Sequence, residues 1–181
     1  MKRRNRIIIG ILFFGIYWLC VKNILPKESS DYLNSDLTEF KRLFSPISII
    51  FSIIIAFLIV FDLKEFKGTK LSKFFYIIYI GMMSYLSYPF ASDIVLTIGI
   101  KLNGMSNNGT VIKKFKVAFK EKNNDLNYMV WGKIPNKTYD GRIDNLKVTK
   151  KDYELISENQ ELELKLENGL FKIPFNPIIK K

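Results

Sequence analysis

Asp125, Asp140 and Asp144 bring three carboxylates into one stretch of the chain, the ligand type a hard cation selects. Their spacing is not that of an EF-hand loop, and Asp is a common turn former, so the turn reading is favoured over a metal site. Histidine is absent, which removes Ser-His and Cys-His pairs, HExxH zinc sites and histidine proton relays. The one cysteine, Cys20, permits neither an intrachain disulfide nor a cysteine metal site. No catalytic or cofactor-binding motif is present, so the chain is expected to be non-enzymatic and to use no cofactor.

Two other sets of residues could still carry function. Asp93 follows an apolar segment, and an acid within a span is by default a functional candidate. A proton or ion relay would need a second acid in a span, and none is there. Pro89 precedes Asp93, so the helix is expected to kink or end nearby, leaving Asp93 at an interface. Lys22, at the end of the first apolar segment, should reach a similar depth. An interfacial Lys22–Asp93 ion pair is preferred, with simple hydration as the alternative. The second set is small residues: Ser48, Ser52 and Ala56 at i, i+4, i+8, matched by Gly81, Ser84 and Ser87 on one stripe of the third segment. Small residues at that spacing let helices approach closely in lipid, giving a packing seam within the molecule or to a partner.

The elements that carry these residues are three apolar segments: Ile7 to Leu25, Leu43 to Phe61 and Phe74 to Ser92. About 20 apolar residues at roughly 1.5 Å rise cross a hydrocarbon core of about 30 Å. The first follows the basic start Met1-Lys2-Arg3-Arg4-Asn5-Arg6 and could be a signal peptide. No A-x-A-like site follows, and Leu19 stands where a lipoprotein signal needs a small residue before Cys20, so an uncleaved signal-anchor is favoured. Pro46 falls in the first turn of the second span. Tyr76, Tyr79 and Tyr88 form an aromatic belt, while the deeper Tyr85 should want a hydrogen-bond partner.

The net charge of +11 comes from 28 Lys/Arg against 17 Asp/Glu. The tail from Lys101 mixes both signs without a dense basic stripe, which disfavours a nucleic-acid partner. Basic residues cluster in the N-terminal tail and in the second connection (Lys64, Lys67, Lys70, Lys73), whereas the first connection holds more acids than bases. The N-terminus is therefore read as cytoplasmic and the C-terminal tail as extracytoplasmic, although Lys41 and Arg42 abut the second span on the opposite side. Richness in Ile, Lys and Asn points to an AT-rich bacterial genome, hence the bacterial cytoplasmic (inner) membrane.

Leu33, Leu37, Phe40 and Phe44 recur at helical spacing in the first connection, as a stripe on the membrane surface or as a lead-in to span two. Period-two alternation starts at Ile94 and predicts a strand over Ile94–Leu102, with a long third helix as the alternative. Val111, Phe115, Val117 and Phe119 share one face of a further strand. Leu126, Tyr128, Val130 and Ile134 share a face with Met129 and Trp131 opposite, and Leu162, Leu164 and Leu166 alternate with charges. Asn168-Gly169 is a two-residue hairpin signal, from which Leu170, Phe171 and Ile173 return until Pro174 and Pro177 stop the pairing. Thr149 and Asp152 form a capping box for a short helix whose Tyr153 and Ile156 face the sheet. Asn108-Gly109-Thr110 and Asn136-Lys137-Thr138 match the glycosylation sequon by chance.

The expected fold is a membrane α-helical bundle of three transmembrane helices followed by a small mainly-β C-terminal domain, an antiparallel barrel or sandwich with one short helix. The boundaries are a cytoplasmic tail 1–6, a transmembrane region 7–92 with spans 7–25, 43–61 and 74–92, and an extracytoplasmic β domain 93–181, set close to the bilayer.

A short basic N-terminus before an immediate span, a basic loop between spans two and three, and Tyr88-Pro89-Phe90 leading into Ile98-Gly99-Ile100-Lys101 carry a resemblance. Over about 95 residues the membrane half resembles the small three-span immunity proteins that protect bacteria from their own pore-forming colicins. The resemblance implies helix contact with a toxin inside the bilayer, pointing to the span-two seam, with the β domain as an added recognition module. The alternative partner is an envelope transport or secretion complex, which the chain would join as an accessory or assembly subunit.

Overall fold

The computed structural model describes residues 3–60, 68–123, 127–137, 139 and 142–180. Met1, Lys2, Phe61, Lys64, Lys67, Asp125, Leu126, Thr138 and Asp140, all used above, lie outside the described residues.

Helix α1 (Arg3–Leu19) widens into a π-helical turn, Cys20–Ile24, and continues as α2 (Leu25–Ser29). Pro26 explains the wide turn: it has no N–H for the carbonyl four residues back, and its ring crowds that carbonyl. The Leu25 N–H bonds Cys20 O across the widened turn. Helix α3 is Asn34–Val60 and α4 is Lys70–Gly104. The helical stretches Ile7–Ser29, Asn34–Val60 and Lys70–Gly104 are each long and apolar enough to cross a membrane, as in a multi-pass membrane protein.

The strand expected over Ile94–Leu102 is helix. Buried Ala91, Ile94, Thr97, Ile100 and Asn103 recur every three residues, while Ile98 and Leu102 of the supposed strand face are exposed. The alternation was a by-product of dense apolar composition, and the burial follows the 3.6-residue period. Pro89 sits inside α4 and does not end it. Tyr85 turns outward, 79 % exposed, and has no hydrogen-bond partner among the described residues.

The chain forms two compact units, residues 1–26 with 41–99, and residues 27–40 with 100–181. The division expected at residue 93 moves to Ile100, and the connection before α3 joins the second unit. In the first unit Phe13, Cys20, Ile55 and Ile94 are buried together, with Tyr17, Phe51, Ile59 and Phe90 around them. The Tyr17 ring meets Phe90 edge-on at 4.9 Å.

The second unit is built on a five-stranded antiparallel sheet of β1 (Thr110–Asn123), β2 (Asn127–Lys133), β3 (Asp144–Val148), β4 (Glu161–Asn168) and β5 (Pro174–Ile179), in the order β3-β2-β1-β4-β5. Its long first strand pairs with β4 through its first half and with β2 through its second. This is a barrel-like sheet whose edges are β3 and β5. Helix α5 (Lys150–Leu155) joins β3 to β4, and Thr149 Oγ1 accepts the Asp152 N–H as expected. Asp144, expected in a turn, begins strand β3.

The core comprises Leu33, Phe115, Val117, Val130, Leu146, Leu162, Leu164 and Leu166, among others. Each such side chain contributes about 1.5–3 kcal/mol when fully buried. Leu33, the first residue of the predicted apolar stripe, comes from the connection before α3 and packs into the β core, while Leu37, Phe40 and Phe44 lie on α3, which leads into the second span. Phe40 of that stripe is also fully buried, its ring edge-on to Phe171.

A bulge between Val117 and Phe119 changes the face of β1. Phe119, expected beside Phe115 in the core, is turned outward. Gly132 stands opposite Val117, where an added Cβ would strike the Phe115 ring and the Lys116 carbonyl.

The two-residue hairpin at Asn168-Gly169 does not form. Gly169 to Ile173 make a longer loop, and both Pro174 and Pro177 lie within β5. Proline is tolerated there because β5 is an edge strand, Pro174 begins it, and Pro177 lies at an irregularity in the β4–β5 register.

Candidate functional site

In the first unit Ser48, Ser52, Ala56 and Ser84 are buried. The Ser87 hydroxyl lies 3.3 Å from Ser52 O and 3.1 Å from Ser84 O, so it can reach from α4 to α3. Ser48, Ser52 and Ser84 give their hydroxyls to carbonyls of their own helices, at 2.8–3.1 Å. Tyr76 OH bonds Val60 O at 2.6 Å and Ser45 meets Tyr88 OH at 3.2 Å, so α3 and α4 run as antiparallel neighbours. Gly81 of the same predicted stripe is exposed and meets nothing. An apolar cleft of about 400 Å³ opens among Gly10, Phe13, Ile55, Ala56, Ser87 and Phe90.

Lys22 and Asp93 are not an ion pair among the described residues. The Lys22 ammonium lies over the Trp18 ring, 5.5 Å from its centroid. One α-helical turn separates the two in sequence, so this contact needs no partner from another helix. Asp93 is partly buried on α4, three residues before fully helical Leu96.

In the second unit the most heavily bonded polar groups tie the start of α3 and the connection before it to the sheet. Asp144, fully buried, accepts the Ser35 N–H at 2.7 Å, the Ser35 hydroxyl at 3.0 Å and the Tyr139 hydroxyl at 2.6 Å. The Asn34 amide donates to Ile143 O at 2.7 Å, and Asn176 N–H donates to Asp31 O at 2.7 Å. Residues 31–35 therefore bond at one end to β5 and at the other to β3, the two edges of the sheet. We call residues 27–40 the strap. Burial, then the bond given to Asp144, holds the Tyr139 phenol above its usual range.

Two further contacts lock the strap. Fully buried Asp36 meets the Lys113 ammonium at 2.6 Å, with Lys137 at 4.0 Å, and Lys137 also pairs with Glu39. Fully buried Asn103, at the end of α4, donates to Tyr32 OH at 3.0 Å and Ile173 O at 2.9 Å. It also receives Leu170 N–H on its carbonyl and Phe171 N–H on its side chain. The loop closes on itself through Gly169 N–H to Ile173 O and Lys172 N–H to Gly169 O, and Asn103 takes up the two N–H groups at its tip.

Beside the strap lies a polar cleft of about 570 Å³, lined by Ser29, Asp31, Asn34, Asn145, Lys147 and Asn176 among others. Among the described residues no group of three Cys, Asp or Glu is disposed to hold a metal ion. Asp144, weighed as a cation ligand, spends its oxygens on the strap and Tyr139. On the outer face of the sheet Phe119 stacks on Trp131, with centroids 5.8 Å apart and planes at 15°. The Trp131 indole N–H donates to Glu121 at 2.8 Å.

The seam serines were readable from their spacing. The strap contacts were not: Ser35, Asp36, Asn103 and Asp144 are ordinary polar residues far apart in sequence. Trp131 could be placed on the outer face by alternation, but its partner Phe119 could not. No protein-family model matches this chain, and no curated protein or solved structure does.

Proposed function

We propose that this chain is a non-enzymatic, multi-pass protein of the bacterial inner membrane, with a cytoplasmic N-terminus and an extracytoplasmic β unit, and that it acts by protein–protein contact. The carrying observation is that residues 27–40 fold together with residues 100–181. Parts of one folded unit lie on one side of a membrane. The intervening chain, Lys41–Gly99, must then leave and return, which two apolar helices accomplish, and α1 supplies the third crossing. Under this reading the N-terminal basic cluster and the second connection share the opposite side, as the positive-inside rule requires of a cytoplasmic face.

Tyr85 supports contact within the membrane. A phenol hydroxyl facing hydrocarbon lacks the acceptor that another helix would offer it. The specific form proposed is an immunity protein against a membrane-acting toxin, with the helices engaging the toxin and the β unit adding recognition.

A phosphatase fused after Lys181 is expected to be active, and an inactive fusion overturns the sidedness. A toxin gene beside this one, with cells rescued by the chain and less well by its Tyr85→Phe variant, supports immunity. Stable co-purification with a large envelope transport or secretion complex, without rescue, replaces it with the accessory role.

A further inference from the structure

The outer face of β1, β2 and β3 carries an unusual charge arrangement. Lys116 on β1 and Lys133 on β2 are direct cross-strand partners. Both are exposed and neither forms an ion pair among the described residues, although Glu161 on β4 stands directly across from Lys116 on its other side. Like charges held opposite one another in a ladder destabilise it, so the pair is a liability for folding alone. The other half of the sheet does not share it. There Lys114 pairs with Glu161 at 3.7 Å and Lys180 with Glu163 at 2.8 Å.

Next along the same two strands stands the Phe119–Trp131 pair, with Phe119 43 % exposed. The bulge after Val117 brings Phe119 to this face; a regular strand would have buried it. The indole is steadied by Glu121, whose carboxylate is engaged by that bond. Across β2, Trp131 is opposed by Asn145 and Met129 by Lys147, both of which line the polar cleft. The face thus reads as an aromatic anchor between Lys116 and Lys133, neither of them in an ion pair among the described residues, and a third lysine, Lys147, with a groove of hydrogen-bonding side chains alongside.

We infer that this face is the docking surface for an acidic polypeptide segment of a partner protein, one that seats an apolar side chain on Phe119 and Trp131 and places a carboxylate between Lys116 and Lys133. The inference deepens the protein-contact reading and rests on it. A carboxylate there offsets the Lys116–Lys133 repulsion from the β2 side, which Glu161 on β4 does not reach, and aromatic anchors ringed by polar groups are what dominate binding at protein interfaces.

The test pans a display library of short random peptides on the full chain in nanodiscs, with counter-selection on a Lys116→Glu/Lys133→Glu variant. Retained clones are expected to carry Asp or Glu flanking an aromatic or aliphatic residue. A synthetic peptide of the commonest clone should bind Lys133→Glu and Trp131→Ala about tenfold or more weakly than the parent, and bind less well as salt rises. Lys133→Glu makes an opposite-charge pair with Lys116, so its melting temperature should equal or exceed the parent's, which separates lost binding from lost folding. Basic or neutral clones, no enrichment, or unchanged binding to Lys133→Glu overturns the inference. Tighter retention of a heparin fragment than of the peptide overturns it in favour of an anionic glycan. Those outcomes, with the fusion and rescue results intact, leave the protein-contact reading standing and remove only this face.

Discussion

Ser35 gives both its backbone N–H and its hydroxyl to the carboxylate of Asp144, 109 residues further along the chain. Ser35 lies in the first turn of α3, where N–H groups lack intrahelical partners. Asp144 therefore acts as an N-terminal cap delivered from a distant strand, and its negative charge suits the positive end of the helix.

Replacing Asp144 by Ala should leave Ser35 and Tyr139 without their acceptor and loosen the strap. The expected loss is about 3–5 kcal/mol, as for breaking a buried charged network. Thermal unfolding measures it, and limited proteolysis should show new cleavage within residues 27–33.

Lys113→Met should strand Asp36, which is fully buried and has one oxygen, Oδ2, with no partner even now. A loss of about 3 kcal/mol is expected, at the low end for a broken buried pair because Lys137 stands nearby. Adding Asp36→Leu should restore most of it, since an apolar pair of similar bulk carries no desolvation cost. Denaturant titration of the three variants against the parent tests this.

Tyr139 predicts an alkaline effect. In the unfolded chain its phenol titrates near 10.0, while burial and the bond to Asp144 keep it protonated to higher pH in the fold. Above that pH the unfolded state holds fewer protons than the folded one, so stability falls as pH rises. Tyr139→Phe should lessen this fall while costing about 1 kcal/mol at neutral pH through its lost hydrogen bonds. Tyr32, also raised by burial, leaves a residual slope. Melting temperatures from neutral pH to beyond pH 10 decide the matter.

Gly169→Ala should push a methyl group into Asn103, whose side chain and carbonyl fill the space beside it. A cost of about 1–3 kcal/mol is expected for overpacking. Faster amide exchange at Leu170 and Phe171, which bond to Asn103, would locate the damage.

The legible parts of this fold are those set by near neighbours. The apolar segments gave the three long helices because length and composition alone decide them. The capping box at Thr149 is local, and so is the alternation of Leu162, Leu164 and Leu166. What escaped was set by distant residues. Phe119 left the core because of a bulge in β1, which shows only in the register with β2. Pro174 and Pro177 entered a strand because that strand has one unpaired edge. The Asn168-Gly169 turn yielded to Asn103, about 65 residues away. Leu33 and Phe40 had the spacing of a surface helix, and only the sheet's need for their bulk moved them inside. Of the residues marked by small-residue spacing, Ser48, Ser52, Ala56 and Ser84 are buried and Gly81 is not, and the Lys22 ammonium answers to the local Trp18 ring rather than to Asp93.

The strap also fixes an order of events in the life of the protein. Leu33, Ser35 and Asp36 leave the ribosome long before the strands that receive them; at about 5–20 residues per second, the 109 residues to Asp144 take roughly 5–20 s. Under the proposed topology, α3 and α4 must both be inserted in that interval for strap and strands to meet in one compartment. A nascent chain that fails to thread its helical hairpin leaves Asp144 and the β core without their early half. Completion of the β unit is then a readout of correct insertion, and misinserted molecules stay open to envelope proteases.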